Sequence, residues 1–201
     1  MYPQNEALIV IDVQNDFCPN GALAVSEGDH IVETINDMMS QFKVTVLTQD
    51  WHPTGHSSFA SSHKSQSPYD VVQMPYGPQV LWPDHCIQGS KGAEFHPDLK
   101  TDHADLIIRK GFRPEIDSYS AFFENDQTTP TGLEGYLRTR DVERVTLVGL
   151  ATDFCVNYSA LDAARLGFEV TVLQAACRAI DLNGSLGAAN LAMRQAGVTL
   201  A

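Results

Sequence analysis

Six short apolar runs, mostly β-branched, constrain the fold of this 201-residue chain more than any other feature. They are Ala7-Leu8-Ile9-Val10-Ile11, Val44-Thr45-Val46-Leu47, Leu106-Ile107-Ile108, Val145-Thr146-Leu147-Val148, Val170-Thr171-Val172-Leu173 and the short Val198-Thr199-Leu200. Near-continuous runs of this kind are what strands buried on both faces look like. Helical periodicity lies between several of them. The stretch Asp29 to Phe42 has apolar residues at 31, 32, 35, 38, 39 and 42, and 133–139, 154–166 and 185–196 read similarly. The last two close at Gly167 and Gly197, where helix stops belong. Strand alternating with helix predicts an α/β fold: a mostly parallel, six-stranded sheet between helical layers. A chain of this length is expected to form a single domain, 1–201. Residues 49–104 break the alternation. They are rich in Pro, Ser, His and Gly, and hold six of the seven histidines and both tryptophans. A connection that long inside a domain is usually functional.

A formal net charge of −12 argues against nucleic acid or an anionic membrane as partner, since both attract basic surfaces. No apolar run reaches membrane-spanning length, and Met1-Tyr2-Pro3-Gln4-Asn5-Glu6 lacks a basic leader, so the cytoplasm is the expected compartment. Cys18, Cys86, Cys155 and Cys177 are scattered without a CxxC pair, which does not suggest a disulfide framework.

In open parallel sheets the ligand crevice lies beyond the carboxyl ends of the strands. The first four runs end in Asp12-Val13-Gln14-Asn15-Asp16-Phe17, Thr48-Gln49-Asp50-Trp51-His52, Arg109-Lys110-Gly111 and Gly149-Leu150-Ala151-Thr152-Asp153-Phe154-Cys155. Parallel neighbours would bring a carboxylate, a lysine, a thiol and a candidate metal pair to one edge. Cys155 falls where a helix should start, with Thr152 or Asp153 as cap, and a helix N-terminus stabilises a thiolate. Taken alone, it is an even choice between nucleophile and packing residue. Cys177, expected just beyond the fifth strand, is the weaker competitor, and Cys86 beside His85 could be a nucleophile or a soft ligand. Asp12 is the available base and Lys110 the available cation; each alone reads more simply as a turn residue and a strand end. Asp50 and His52, two apart in extended chain, can point the same way and suit zinc, iron or manganese. His56 and His85 are the candidates to complete that set, with His63 and His96 behind them.

Together these segments resemble the nicotinamidases, metal-dependent members of the isochorismatase-like cysteine hydrolases. The resemblance rests on Asp12-x-Gln14-Asn15-Asp16-Phe17, Asp50-Trp51-His52-Pro53 with His56 and Ser58-Phe59-Ala60, Trp82-Pro83-Asp84-His85-Cys86, Lys110-Gly111, Tyr119-Ser120-x-Phe122 and Gly149 to Val156, in order along the chain. It implies a catalytic triad of Asp12, Lys110 and Cys155. It implies Asp50, His52 and His85 as ligands of one divalent ion, zinc ahead of iron or manganese, with His56 as a further candidate. Phe17 and Trp82 would sandwich a pyridine ring, with Tyr119 nearby. A cis peptide at Ala151–Thr152 would aim the N–H groups of Ala151 and Cys155 at an oxyanion. The implied reaction takes nicotinamide, and also pyrazinamide, to the free acid and ammonia in NAD salvage. A homo-oligomer is compatible with the sequence. Other readings are a hydrolase for a different amide and a non-catalytic ligand-binding member of the same fold. A nucleotide-binding domain is disfavoured, because no glycine-rich loop follows the first strand.

Overall fold

The computed structural model describes residues 2–201. Its elements are β1 (Glu6–Ile11), α1 (Val32–Met39), β2 (Val44–Asp50), β3 (Val71–Met74), β4 (Gly77–Val80), β5 (Leu106–Lys110), α2 (Leu133–Arg138), β6 (Arg144–Leu150), α3 (Asn157–Arg165), β7 (Glu169–Arg178), α4 (Ser185–Gln195) and β8 (Thr199–Leu200). Six strands form one sheet in the order β5-β2-β1-β6-β7-β8, and every neighbouring pair is parallel. The α/β alternation read from the apolar runs is therefore the architecture. All residues of β1 and β2 are buried, as expected for central strands covered on both faces. At the edge, β5 alternates instead: Ile107 and Arg109 face outward, Ile108 and Lys110 inward. That alternation fixes the direction of Lys110. The Arg109 guanidinium stacks 3.8 Å above the Trp51 ring, placing a charge along the exposed edge strand.

Several boundaries differ from expectation. The first helix spans only Val32–Met39, because a 3₁₀ turn at Gly28–Ile31 takes its opening residues; Phe42 stays buried beyond its end. Cys177 lies within β7, opposite Gly149, and not beyond the strand. The periodic segment 154–166 begins as a π-helical turn, Thr152–Val156, before α3 starts at Asn157. The hairpin β3–β4 carries no run long enough to be read from sequence, since its two four-residue strands pair only with each other.

The 49–104 stretch is pinned to the sheet's carboxyl edge. Single bridges tie His52 to Ile87, Phe59 to Trp82 and Gln14 to Phe95. Gln14 closes the arrangement: its side chain accepts from the Asp50 N–H at 2.8 Å and donates to the Asp50 and Ala93 carbonyls at 2.9 Å each. At the seam of β1 and β6, Gly149 adopts φ +120°, and a Cβ there would lie 2.1 Å from the Ile11 carbonyl oxygen. Only glycine permits this approach. The β6–β7 register shifts at the same place, between Leu147 and Gly149.

Candidate active site

Four strand ends meet around one buried ammonium. Lys110, the last residue of β5, is paired in register with Asp50, the last of β2. Its Nζ donates to Asp50 Oδ1, to the Ser118 carbonyl at 2.9 Å and to Cys155 Sγ at 3.5 Å. Those three partners account for the three N–H donors of an ammonium. Asp12 Oδ2 also lies 2.8 Å from Nζ, yet has no hydrogen-bond partner. The charge is paired and the lone pair stays open. Asp12 follows β1 in the left-handed region at φ +48°. Thr48 holds it there, donating from Oγ1 to Oδ1 at 2.6 Å and accepting from its N–H at 3.2 Å. Asp12, Asp50 and Cys155 each offer a ligating atom within 4.8 Å of the others.

The charge states follow from burial and neighbours. Complete burial pushes the Asp12 carboxyl up, Lys110 pulls it back, and the balance is about 6. Burial opposes the Lys110 charge, but the two carboxylates outweigh it and hold the ammonium well above its ordinary range. Burial works against the Asp50 carboxylate as well; Lys110, His52 and His85 overcome it and keep Asp50 ionised. For Cys155, burial raises the thiol pKa, and Asp12 and Asp50 add to this against Lys110. The sulfur therefore rests as a thiol beside a base poised near neutrality. Burial thus outweighs the help a helix start gives a thiolate, and Asp12 is the base the thiol needs, as expected from the sequence. Neither Thr152 nor Asp153 caps: the turn has no side-chain cap bond. Asp153 instead accepts from the Ile180 and Asp181 N–H groups at 3.0 and 2.8 Å and from the Ser185 hydroxyl, which draws its charge away from the sulfur. The cis bond is Leu150–Ala151, one residue earlier than expected. Ala151–Thr152 already belongs to the turn, with the Ala151 carbonyl accepting from the Phe154 and Val156 N–H groups at 3.1 Å each.

Next to the ammonium lies a set of donors fit for a divalent cation. Asp50 Oδ2 is 3.7 Å from His52 Nε2 and 3.8 Å from His85 Nε2, and all three side chains are buried. Ligands about 2.1 Å from a tetrahedral zinc stand roughly 3.4 Å apart, so a small contraction would close the set. The backbone orients both rings, with Nδ1 of His52 2.8 Å from the Gly111 carbonyl and Nδ1 of His85 2.8 Å from that of Pro83. A carbonyl only accepts, so each Nδ1 carries the proton and each Nε2 presents its lone pair. Gly111, at φ +65°, makes room for this: a Cβ there would lie 2.4 Å from His52 Cε1. His56 stands beside His52, ring centroids 4.5 Å apart, outside this set but in a second close group of possible ligands with His52 and Asp117. Its Nε2 faces the Arg113 carbonyl at 2.9 Å, and its Nδ1 is taken by Ser58. His63 and His96 are elsewhere, bonded to the Ser57 carbonyl and to the Asp98 N–H.

Cys155 and Asp50 open onto a narrow cavity that is also lined by Phe17, Trp82, Tyr119 and Ala151, the expected substrate and oxyanion residues. Trp82 donates from Nε1 to the Tyr119 hydroxyl at 3.0 Å. Four further lining residues were not anticipated: Leu23, Asp117, Phe154 and Ile180. Phe154 packs edge-on to Trp82 at 4.8 Å and was available from its place next to the nucleophile. Asp117 and Ile180 sit in loops with no periodicity to single them out.

Residues 6–201 match the model of the isochorismatase domain family. A nicotinamidase from Acinetobacter baylyi is 55% identical over 96% of this chain and 91% of its own. A solved nicotinamidase/pyrazinamidase structure from Acinetobacter baumanii superposes with a TM-score of 0.98 at 56% identity, covering 100% of this chain and 97% of the other. A pyrazinamidase from Pyrococcus horikoshii, solved in complex with zinc, superposes with a TM-score of 0.78 at 37% identity over 98% of both chains.

Proposed function

From its membership of the isochorismatase family, within the nicotinamidase group, we propose that this chain hydrolyses nicotinamide to nicotinic acid and ammonia through a thioester on Cys155, as one hydrolase domain serving NAD salvage in the cytoplasm. The observation that carries the reading is the buried ammonium of Lys110, shared by Asp12, Asp50 and Cys155, with Asp50 and Cys155 opening onto an aromatic cavity.

The chemistry follows from the charge states. Cys155 Sγ attacks the carboxamide carbon while its proton passes to the open oxygen of Asp12. A carboxylate poised near 6 accepts a proton and gives it back at neutral pH. Negative charge then develops on the former carbonyl oxygen, facing the N–H groups of Ala151 and Cys155. Single donors in such holes are worth about 2.7–4 kcal/mol. As the C–N bond breaks, Asp12 delivers its proton to the departing nitrogen, and ammonia leaves. Water attacks the thioester with Asp12 taking its proton, the S–C bond breaks, and Asp12 restores the thiol. Lys110 holds Asp12 and the sulfur together throughout and offsets each anion as it forms. Phe17 and Trp82 flank the ring, and Tyr119 fixes the Trp82 indole. Asp50, His52 and His85 would hold the metal ion, zinc before iron or manganese. When bound, it would supply a Lewis-acid contact that orients the substrate's ring nitrogen. Pyrazinamide, with a ring nitrogen similarly placed relative to its carboxamide, is a second substrate on this reading.

Ammonia release from nicotinamide tests it. Cys155→Ala should lose about 10⁴-fold or more in turnover while binding metal as the parent does. Undiminished turnover in that variant would remove Cys155 from the mechanism. A parent inert on nicotinamide but active on another small amide would favour the broader amidase reading.

A further inference from the structure

The buried polar groups around the cavity leave a charge unaccounted for. Asp12, Asp50 and Asp117 are buried carboxylates, exposed by 0%, 4% and 2%, and Lys110 is the buried cation among them. Three negative charges against one positive leave −2. Burying charge without compensation is strongly unfavourable. Two further buried acids nearby are held apart from this group: Glu124 by Arg113, and Asp153 by the Ile180 and Asp181 N–H groups and the Ser185 hydroxyl. For Asp117, among the described residues, the one basic side chain within 4.0 Å is His52. The contact is Asp117 Oδ1 to His52 Nε2 at 4.0 Å, close to the 3.7 Å that separates the same nitrogen from Asp50. That nitrogen is the one turned toward the ion site.

Asp117 is also held in place from behind. Its Oδ2 accepts from Gln79 Nε2 at 2.9 Å and its Oδ1 from the Ser118 N–H at 2.8 Å. Gln79 is itself buried, on β4 of the hairpin outside the main sheet, and its Oε1 accepts from Asn125 Nδ2 at 3.1 Å and Tyr76 Oη at 3.2 Å. Its amide also donates to the Tyr119 hydroxyl at 2.8 Å. One glutamine thus ties the unpaired carboxylate to the aromatic wall, which gives the hairpin a purpose that its four-residue strands do not otherwise explain.

We propose that Asp117 is an outer carboxylate of the metal site, supplying the charge that lets a divalent ion bring the buried cluster to neutrality, and that Gln79 is the residue that positions it. The proposal rests on the assignment of Asp50, His52 and His85 as the ligands. A divalent ion cancels the −2 remaining among Asp12, Asp50, Asp117 and Lys110. A monovalent ion would leave one buried charge.

The test is metal affinity, not turnover. The metal-stripped full chain is titrated with Zn²⁺ against a chromophoric chelator, for the parent, Asp117→Asn, Gln79→Leu and Asp50→Asn. Asp117→Asn is nearly isosteric and should weaken Zn²⁺ binding about 10- to 100-fold, the usual cost of losing an outer partner. Gln79→Leu should weaken it several-fold, and Asp50→Asn by more than either. Parent affinity in Asp117→Asn alongside weakened Asp50→Asn overturns this proposal and leaves the ligand assignment standing. Parent affinity in Asp50→Asn overturns the ligand assignment itself. Should Asp117→Asn fail to fold, Gln79→Leu decides, and an unchanged Zn²⁺ affinity there refutes the proposal.

Discussion

Replacing Lys110 by methionine is the most searching perturbation of this site. The substitution keeps the volume of the stem and removes the ammonium that Asp12, Asp50, the Ser118 carbonyl and Cys155 share. Lys110 and Asp12 are fully buried and Asp50 nearly so, so solvent cannot screen the carboxylates left behind. Breaking a buried pair from one side costs about 3–5 kcal/mol, because an uncompensated charge remains. In a chain of this size each kcal/mol moves the melting temperature by about 2–4 °C, so Lys110→Met should melt about 6–20 °C lower. Zn²⁺ should return part of that loss, since the ion replaces Lys110 as counter-charge to Asp50 but not to Asp12. Adding Asp12→Asn removes one stranded anion, and the double variant should be more stable than the sum of the singles by roughly 0.5–3 kcal/mol. Turnover should vanish in all three variants. Calorimetry of the four proteins, with and without Zn²⁺, completes the cycle. A Lys110→Met protein melting within about 2 °C of the parent, or singles that add without coupling, would refute the shared-ammonium account.

Other outcomes follow from the same geometry. Gly111→Ala puts a Cβ 2.4 Å from His52 Cε1 at φ +65°; it should cost about 1–2 kcal/mol of stability and weaken metal binding about 10- to 100-fold, read by melting and chelator competition, with parent affinity counting against the role given to the His52–Gly111 contact. Trp82→Leu removes an aromatic wall and the donor to Tyr119; it should raise KM for nicotinamide about 2- to 12-fold, the equivalent of roughly 0.5–1.5 kcal/mol, with a smaller change in kcat, and steady-state kinetics would expose an unchanged KM. Burial pushes the Cys18 thiol up to about 11, with Asp29 adding to it, and the Cys177 thiol up to about 12. At pH 8 the thiolate fraction of Cys177 is then about 10⁻⁴, against roughly 0.2 for an unfolded thiol. Iodoacetamide should modify both cysteines on the order of a hundred-fold faster or more in urea than in the native state, by peptide mapping. Comparable native and denatured rates would contradict the burial of these two thiols.

Periodicity and the positions of strand ends made most of this molecule legible in its sequence. Apolar runs such as Ala7–Ile11 and Val44–Leu47 specify buried strands because a strand covered on both faces has no polar side to show. Parallel strands present their carboxyl ends on one edge, so Asp12, Asp50, Lys110 and Gly149 to Cys155 could be gathered there from one dimension. The identity of the residues at a strand's end is a local property, and local properties survive in sequence. Tertiary structure alone decided the rest. Nothing in sequence marks Asp117 or Gln79, whose significance arises from His52 being the one basic side chain within 4.0 Å of the carboxylate among the described residues, and from the 2.9 Å bond between them across 38 positions. Nor does it show that His56 spends both ring nitrogens on the Arg113 carbonyl and Ser58, a matter of which groups crowd it in space. Cys155 is legible as a residue just beyond a strand, and it lies in the turn after β6; its charge state is not a local property. A helix start argues for a thiolate; complete burial beside two carboxylates makes it a thiol awaiting Asp12. Charge state depends on everything within a few ångströms, and only the folded chain says what that is.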